Sequence, residues 1–297
     1  MEKFFQLFVA AIALGGIYAL IALGFVVVYK ATGTFNFAQG GFVLLGAYLV
    51  YQFGDDWSLP FFVALILAMV VMAGVAAGIE RVVIRPMING PPFTIVLITL
   101  GVLLIIEQAV RTLWSEPAYV LTTPWGNGVT EVAGVSIRHV DMWTVGFATL
   151  VLGGFFAIFR FTTIGIAMRA TAFDQEAAAA QGIKVGRSFS ISWAIAGAVA
   201  VVAGAMLTSR TGSVLTPGLS FIALRAFPAM IIGGLDSPGG AVAGGVVIGV
   251  VEVMALGYLD FDWIGSGFEV VLAYVLMIIV LLWRPNGLFG TRAVQRV

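Results

Sequence analysis

Nine long apolar stretches, separated by short polar segments, set the limits on what this chain can fold into. A membrane-spanning helix needs about 20 predominantly apolar residues, because each residue adds about 1.5 Å and the hydrocarbon core is about 30 Å thick. The sequence therefore predicts an all-α polytopic bundle with about eight or nine membrane segments. The stretches are 4–29, 36–53, 61–79, 94–111, 142–159, 189–208, 221–235, 241–257 and 265–283.

The composition favours a single membrane domain. Charged residues are only 10% of the chain, against about 25% in soluble domains, and the net charge is zero. Nothing in this balance indicates a nucleic-acid partner, and the absence of cysteine excludes disulfides and thiol chemistry. Because no polar segment is long enough to bury a core of its own, we expect residues 1–297 to form one transmembrane domain.

Basic residues predict the orientation of the chain in the membrane. If the apolar segments alternate, ten of the 15 lysines and arginines fall on one side, which the positive-inside rule assigns to the cytoplasm. The N-terminus is then outside and the C-terminus inside. The predicted cytoplasmic set is Lys30, Arg81, Arg85, Arg160, Arg169, Lys184, Arg187, Arg284, Arg292 and Arg296.

Several polar groups interrupt the apolar segments, where ionisable side chains are costly and often functional. Arg225 lies inside the shortest segment, 221–235, which is predicted to be broken or re-entrant. Glu252 is either a pathway residue or a structural partner, with Arg225 as a possible neighbour. Glu107 is expected to pair with Arg111, one helical turn later.

Small residues recur at four-residue spacing in three segments, which lets helix backbones approach closely in lipid. We expect most of this packing to lie within the subunit, with contact to a second subunit as the alternative. The residues are Gly74 and Gly78; Ala196, Ala200 and Gly204; and Ala241, Gly245 and Gly249.

The polar, Gly-rich stretch 30–41 lies between two apolar segments. Non-helical backbone near a membrane must be buried in protein or line a cavity. We therefore predict a broken-helix element on a translocation pathway, with an ordinary cytoplasmic turn as the alternative. The candidate pathway residues are Asn36, Gln39, Gly40, Gly41 and Glu252. A similar Gly-rich helix start at 237–240 suggests an internal repeat, as found in many transporters.

Two loops are long enough to carry structure. In the external loop, about 112–141, prolines and glycines mark turns, and 132–140 is predicted to form a short strand or hairpin. The second is the coupling loop, about 160–188, in which 172–181 is predicted to be an alanine-rich helix with Thr171 as its N-cap and Gly182 as its stop. A helix of about ten residues is unstable alone in water, so the membrane helices or a groove on an ATPase must hold it.

The sequence contains no recognisable catalytic machinery. No Gly-x-x-x-x-Gly-Lys-Ser/Thr phosphate loop occurs, and the one histidine, His139, cannot build a metal site by itself. We predict that the chain is not an enzyme and has no metal or cofactor of its own. An ATP-driven transporter would need separate subunits to bind ATP and magnesium.

Five motifs together resemble the branched-chain amino acid ABC transporter permeases of the LivH type. Their order and spacing hold over nearly the whole chain, although Gln39 stands where many members carry histidine. The motifs are Asn36-Phe-Ala-Gln-Gly40 with Gly46-Ala-Tyr48; Arg81-x-x-x-Arg85-Pro86; Gly165-x-x-x-Arg169-Ala with Ala180-x-Gly182-Ile183; Gly233-Gly-Leu-x-Ser-Pro-Gly-Gly240; and Arg284-Pro-x-Gly-Leu-x-Gly290.

The resemblance implies a permease subunit in the bacterial inner membrane that moves leucine, isoleucine and valine into the cytoplasm. Its partners would be a second homologous permease, two cytoplasmic ATPase subunits and an extracytoplasmic substrate-binding protein. The implied ATPase-coupling residues are Arg169, Asp174, Glu176, Ala180, Gly182 and Ile183, and the late structural turn contains Gly233, Gly234, Pro238, Gly239 and Gly240.

Three alternatives remain at the level of sequence. Similar permeases import urea, amides or other amino acids. An ATP-independent ion-coupled carrier or channel would use Glu107, Glu252 and Glu269 as ion or proton sites. A membrane scaffold without transport activity is disfavoured by the Gly-rich, broken segments.

Overall fold

The computed structural model describes residues 2–88, 90–115, 118–132, 134–259 and 267–291, and these form an almost entirely helical bundle. The helices are α1 (Glu2–Thr32), α2 (Gln39–Tyr51), α3 (Phe61–Ile79), α4 (Pro92–Leu113), α5 (His139–Phe161), α6 (Thr163–Phe173), α7 (Gln175–Ala180), α8 (Val185–Arg210), α9 (Leu219–Leu224), α10 (Phe227–Gly233), α11 (Pro238–Tyr258) and α12 (Phe268–Trp283). Helix α2 continues as a π-helical turn, Gln52–Asp56, and α3 as a π-helical turn, Glu80–Ile84, followed by a 3-10 turn, Arg85–Met87.

The membrane segments agree with the sequence prediction of an all-α polytopic bundle, which is confirmed. Within the described residues, six helices are long and apolar enough to span a bilayer: Glu2–Thr32, Phe61–Met87, Pro92–Leu113, His139–Phe161, Val185–Arg210 and Pro238–Tyr258. Two apolar elements are shorter, Leu219–Gly233 and Phe268–Trp283. The first of these is interrupted between α9 and α10, where Arg225 lies, and this confirms the predicted break.

Helix α1 occupies the centre of the bundle, and 89% of its most apolar window is buried inside the protein. It has no polar face, so neighbouring helices can cover it on all sides. Helices α5, α8 and α11 pack directly on it. The largest fully buried side chains include Tyr18 and Phe25 of α1, Phe42 of α2 and Trp193 of α8, which together place the core between these helices.

Backbone contact between α1 and α11 depends on glycine. A Cβ atom added at Gly245 would lie 2.4 Å from the Ala19 nitrogen, and one added at Gly249 would lie 2.4 Å from the Gly15 nitrogen. These residues therefore pack within the subunit, as the small-residue spacing predicted. At Gly74 and Gly78 of α3, no atom of the described residues lies within 4 Å of an added Cβ atom, so packing within the subunit is not seen there and contact with a second subunit stays the alternative prediction.

Replacing Gly249 by alanine is expected to destabilise the protein by about 1–3 kcal/mol, because the added methyl group would meet backbone that cannot move aside cheaply. The matched control is Gly146→Ala in α5, where the added methyl group has no neighbour within 4 Å. Because alanine costs less backbone entropy than glycine in a helix, the control should be neutral or slightly stabilising. Thermal unfolding of both variants in the same detergent measures the difference, and equal stabilities would contradict the crossing described above.

Contacts between loops divide the helix ends into two faces. On one face, the Lys30 Nζ donates to the Asp236 carbonyl oxygen at 2.7 Å, and Arg85 reaches the start of α8. On the other face, Arg138 and Arg210 both pair with Asp141. This division matches the alternation used to predict orientation, whereas the assignment of the first face to the cytoplasm stays a prediction.

The strands are confined to the second face. The external loop contains a hairpin of β2 (Val129–Val132) and β3 (Val135–Arg138), with Gly134 at φ +81° in its turn. The predicted strand region 132–140 thus ends earlier than expected, since α5 begins at His139. A second antiparallel pair, β1 (Tyr119–Val120) with β4 (Val214–Leu215), joins the external loop to the connection after α8.

Candidate functional site

The coupling loop contains two helices rather than one. Helix α6 ends at Phe173, and Asp174 adopts an extended conformation, with φ −157° and ψ 112°. The Asp174 carboxylate then accepts a hydrogen bond from the Ala177 N–H at 3.0 Å and caps α7. The predicted single helix over 172–181 is therefore wrong, because an aspartate that caps the following turn competes with continued helix.

Thr171 is not an N-cap, contrary to the sequence prediction. It lies within α6, is almost fully buried and donates a hydrogen bond to the Ser188 Oγ at 3.2 Å. The cap of α6 is Thr162, whose Oγ1 accepts from the Gly165 N–H at 3.2 Å. The hydroxyl of Thr171 instead attaches the coupling loop to the first turn of α8.

The C-terminal end of α7 is fixed by backbone geometry. Gly182 has φ +82°, a conformation that residues with a Cβ atom rarely adopt. The Ile183 N–H donates to the Ala178 carbonyl at 3.0 Å and the Gly182 N–H to the Ala179 carbonyl at 2.9 Å, which is the Schellman arrangement. The predicted helix stop at Gly182 is confirmed.

Most of α7 faces away from the bundle. Ala178 is its one buried side chain, while Glu176, Ala180 and Gly182 are exposed. Phe173, immediately before the break, is 92% exposed. An exposed aromatic ring beside small side chains is typical of an interaction surface. We call Phe173, Asp174 and the exposed residues of 175–182 the coupling surface.

Sequence reasoning missed Phe173. The signal available was its position, because it stands outside every apolar stretch, between Ala172 and Asp174. The chain contains 23 phenylalanines, most of them in apolar segments, so its aromatic character alone gave no distinction.

Arg169 positions the coupling loop rather than facing outward. The half-buried side chain donates to the Phe159 carbonyl oxygen, and its guanidinium lies 5.3 Å from the centre of the Phe159 ring. These contacts hold α6 against the end of α5. Gly165 permits the approach, because a Cβ atom there would lie 2.1 Å from the same carbonyl oxygen. Among the other predicted coupling residues, Ile183 is half-buried at the approach to α8.

A buried ion pair connects the end of α3 to the start of α8, and sequence reasoning missed it. Arg85 donates from Nε and Nη2 to the two carboxylate oxygens of Glu80, at 2.9 and 2.7 Å. Glu80 has no exposed surface, and Ser190 also donates to it at 2.7 Å. Since Arg85 further donates to the Gly186 carbonyl at 2.6 Å, the pair fixes the C-terminal end of the coupling loop.

The predicted pathway residues of 36–41 lie buried where α2 crosses its neighbours. Gln39 donates to the Ala196 carbonyl at 3.3 Å and lies against Gly24 of α1. The side-chain oxygen of Asn36 accepts from the Ala38 N–H at 3.1 Å. Gly40 and Gly41 permit close approach to Ser220 of α9 and to α4, respectively. All four residues are buried in this single chain.

Two polar atoms at this crossing, the Asn36 Nδ2 and the Gln39 Oε1, are buried without a protein partner. Such atoms are unfavourable in a packed core and rare in folded proteins. This cost is the feature that favours a functional role for the 36–41 stretch, and the role itself stays a prediction.

Glu252 lies at the α1–α11 interface, away from the 36–41 stretch. The Tyr18 hydroxyl donates to its Oε2 at 2.6 Å, so Tyr18 is its hydrogen-bond partner. The suggested partner Arg225 interacts with Glu252 electrostatically, without a salt bridge among the described residues. The predicted pair of Glu107 with Arg111 is also absent from the described residues, because the buried Glu107 carboxylate accepts from the Ser220 hydroxyl instead.

Replacing Tyr18 by phenylalanine is expected to destabilise the bundle by about 1–3 kcal/mol, because the buried Glu252 carboxyl group would lose the one hydrogen-bond donor that the described residues give it. Removing the carboxyl group as well, in Tyr18→Phe/Glu252→Leu, should recover part of this loss. Thermal unfolding in detergent measures both. A single variant as stable as the starting protein would show that the hydrogen bond contributes nothing.

The late Gly-rich turn is a close backbone contact between α10 and α11. A Cβ atom at Gly233 would lie 2.1 Å from the Gly240 carbonyl oxygen, and Gly234 has φ +103°. Helix α11 begins at Pro238, and Ser237 is its N-cap. The Ser237 hydroxyl accepts a hydrogen bond from the Gly240 N–H at 3.0 Å. Gly239 has open space around it, so this geometry does not require a glycine there.

Among the described residues, six apolar helices long enough to span a bilayer and a structured loop between α5 and α8 define a polytopic membrane protein. Residues 7–281 match the family described as the permease component of branched-chain amino acid transport systems. The chain belongs to this family.

Curated relatives cover nearly the whole chain. The high-affinity branched-chain amino acid transport system permease protein BraD of Pseudomonas aeruginosa is 30% identical over 307 residues, covering 99% of this chain and 98% of the relative. The permease protein LivH of Salmonella typhimurium is 30% identical over 309 residues, with the same two coverages. A probable LivH protein of Methanocaldococcus jannaschii is 30% identical over 295 residues, covering 94% and 90%.

One solved structure shares the fold. A chain of PsaBC from Streptococcus pneumoniae, determined in complex with Fab, superposes with a TM-score of 0.50 over 96% of this chain and 93% of that one. The two sequences are 16% identical, so the likeness concerns the fold alone.

Proposed function

We propose that this chain is the membrane-spanning subunit of an ATP-driven importer of branched-chain amino acids in the bacterial inner membrane. Family membership over residues 7–281 supports the transporter class, and relatives of nearly equal length are named for branched-chain amino acid transport. Separate ATPase subunits drive the transport. The sequence contains no Gly-x-x-x-x-Gly-Lys-Ser/Thr phosphate loop, so the chain cannot bind ATP by that route.

The observation that carries the ATP-driven part of the proposal is the coupling surface. Helix α7 turns one side chain, Ala178, toward the bundle and leaves the rest exposed, with Phe173 beside it. A six-residue helix that is capped at both ends but barely packed gains little from its own bundle. A groove on an ATPase subunit would bury Phe173 and the alanine face, and Asp174, Glu176, Ala180 and Gly182 would lie in the contact.

Movement would pass from the ATPase to the membrane helices through the two ends of the coupling loop. Arg169 holds the first end to α5, and Thr171 holds the loop to α8. ATP binding and hydrolysis then shift the equilibrium between the inward-open and outward-open states, because the ATPase contacts the two states differently. A second, homologous permease completes the pathway, and an extracytoplasmic binding protein delivers the substrate.

Isolation of the assembled complex tests this proposal. The tagged full-length chain is purified from its native membrane in mild detergent, and the co-purifying subunits are identified by mass spectrometry. Recovery of a second permease and an ATPase supports the importer, and uptake of labelled leucine, isoleucine, valine and urea by reconstituted vesicles then defines the substrate. ATP-independent uptake by the chain alone would instead support the ion-coupled carrier.

A further inference from the structure

A basic groove lies between the C-terminal end of α3 with its following turns and the N-terminal end of α8, where the coupling loop ends. It has a volume of about 550 Å³. Its lining residues are Ala77, Arg81, Arg85, Lys184, Gly186, Arg187, Ser190, Ile191 and Ala194. Four of these residues carry a positive charge, and one of the four, Arg85, is neutralised by Glu80.

The other three charges are uncompensated. Arg81, Lys184 and Arg187 are exposed and make no ion pair or side-chain hydrogen bond within the part of the chain that the structure describes. The 26-residue helix α8 begins at the same place, and the Lys184 side chain before it provides no cap. The positive end of its dipole therefore adds to the field of the three cations.

The walls of the groove are apolar on the membrane side. Ala77 belongs to a candidate span, Phe61–Met87, and Ile191 and Ala194 belong to another, Val185–Arg210. Val82, beside Arg81, is 74% exposed. An apolar channel that runs along two spans and ends in three free cations is complementary to a phospholipid with an anionic headgroup, because acyl chains match the walls and the phosphate matches the cations.

We propose that this groove is a binding site for an anionic phospholipid such as phosphatidylglycerol. The phosphate lies between Arg81, Lys184 and Arg187, and the acyl chains follow Ala77 and Ala194. The lipid fills the gap between the end of α3 and the start of α8, next to the Glu80–Arg85 pair. The site is independent of the proposed transport function and of which face is cytoplasmic.

Native mass spectrometry of the full-length protein tests the site. The chain is equilibrated in neutral detergent with equal amounts of phosphatidylglycerol and phosphatidylcholine, and the ratio of the two lipids retained per chain is measured. The wild type should prefer phosphatidylglycerol. The variant Arg81→Gln/Arg187→Gln should lose roughly ten- to thirty-fold of this preference, since each basic residue near a membrane surface contributes about five-fold.

The matched control removes two exposed arginines elsewhere on the same face, Arg160→Gln/Arg284→Gln, and should keep the wild-type preference. Equal retention of both lipids by the wild type, or an equal loss in test and control variants, would overturn the proposal.

Displacement of the lipid by millimolar glycerol phosphate would identify a site for soluble anions instead. If Arg81→Gln/Arg187→Gln kept its lipid but lost a co-purifying ATPase, the groove would be a contact site for the ATPase and the lipid proposal would be overturned. Equal thermal stability of the two variants in phosphatidylcholine excludes misfolding as the cause.

Discussion

The variant Phe173→Ala/Glu176→Arg is expected to lose ATP-driven substrate uptake by about thirty-fold or more while remaining folded in the membrane. Phe173 is the largest exposed apolar side chain of the coupling surface, and buried aromatic anchors typically contribute 2 kcal/mol or more to a protein contact. Arginine at position 176 would place a positive charge in the same contact. That charge would either face another positive charge or be buried without a partner, and both weaken binding. Neither side chain supports the bundle, so stability should stay within about 0.5 kcal/mol.

Uptake in reconstituted vesicles and retention of the ATPase during purification are the two measurements. The controls are Phe93→Ala and Glu131→Arg, which change an exposed phenylalanine at the start of α4 and an exposed glutamate of the β2 strand. Both controls should retain uptake. Normal uptake by the double variant would show that the coupling surface does not contact the ATPase as proposed. Reduced uptake with an intact complex would show that the substitutions impair a step after assembly.

Replacing Arg85 by methionine is expected to destabilise the protein by about 3–5 kcal/mol. Glu80 has no exposed surface, and Arg85 is its one cationic partner among the described residues, so the variant would leave an uncompensated carboxylate buried. The Gly186 and Ser190 contacts made by the guanidinium would be lost at the same time. Because Arg85 also holds Gly186 at the C-terminal end of the coupling loop, uptake should fall with stability.

A double-mutant cycle separates the ion pair from general damage at this site. Glu80→Gln/Arg85→Met removes both charges and should regain a large part of the stability that Arg85→Met loses. Unfolding of the four proteins by heat in one detergent supplies the cycle. Additive losses would show that Glu80 and Arg85 are energetically independent, despite the 2.7 Å separation of their charged atoms.

The sequence predicted the membrane segments well because the length of an apolar stretch is a local property, and the bilayer imposes that length directly. It also predicted the break near Arg225 and the stop at Gly182, since a charge within a span and a glycine after a helix act locally. The same reasoning failed inside the coupling loop. Asp174 can either continue a helix or cap the next one, and its neighbours in space decide between these states.

Long-range partners could not be predicted from the sequence. Tyr18 and Glu252 are separated by 234 residues, and nothing in either segment identifies the other. The burial of Glu80 could not be predicted for a different reason. In the sequence, a charge at the end of a span beside Arg81 resembles an ordinary solvated helix end. Its complete burial follows from the crossing of α3 with α8, and only the folded structure shows that crossing.

The central position of α1 has a consequence for the order of events during synthesis. Among the candidate spans of the described residues, α1 is the one that the finished bundle covers most completely, yet Glu252 of α11, the partner of Tyr18, is made 234 residues after Tyr18. At about 5–20 residues per second, this interval is roughly 10–50 s. During that time Tyr18 and the glycine face of α1 lack the α11 surface that they contact in the finished bundle, so the α1–α11 interface can form only after α11 has been made.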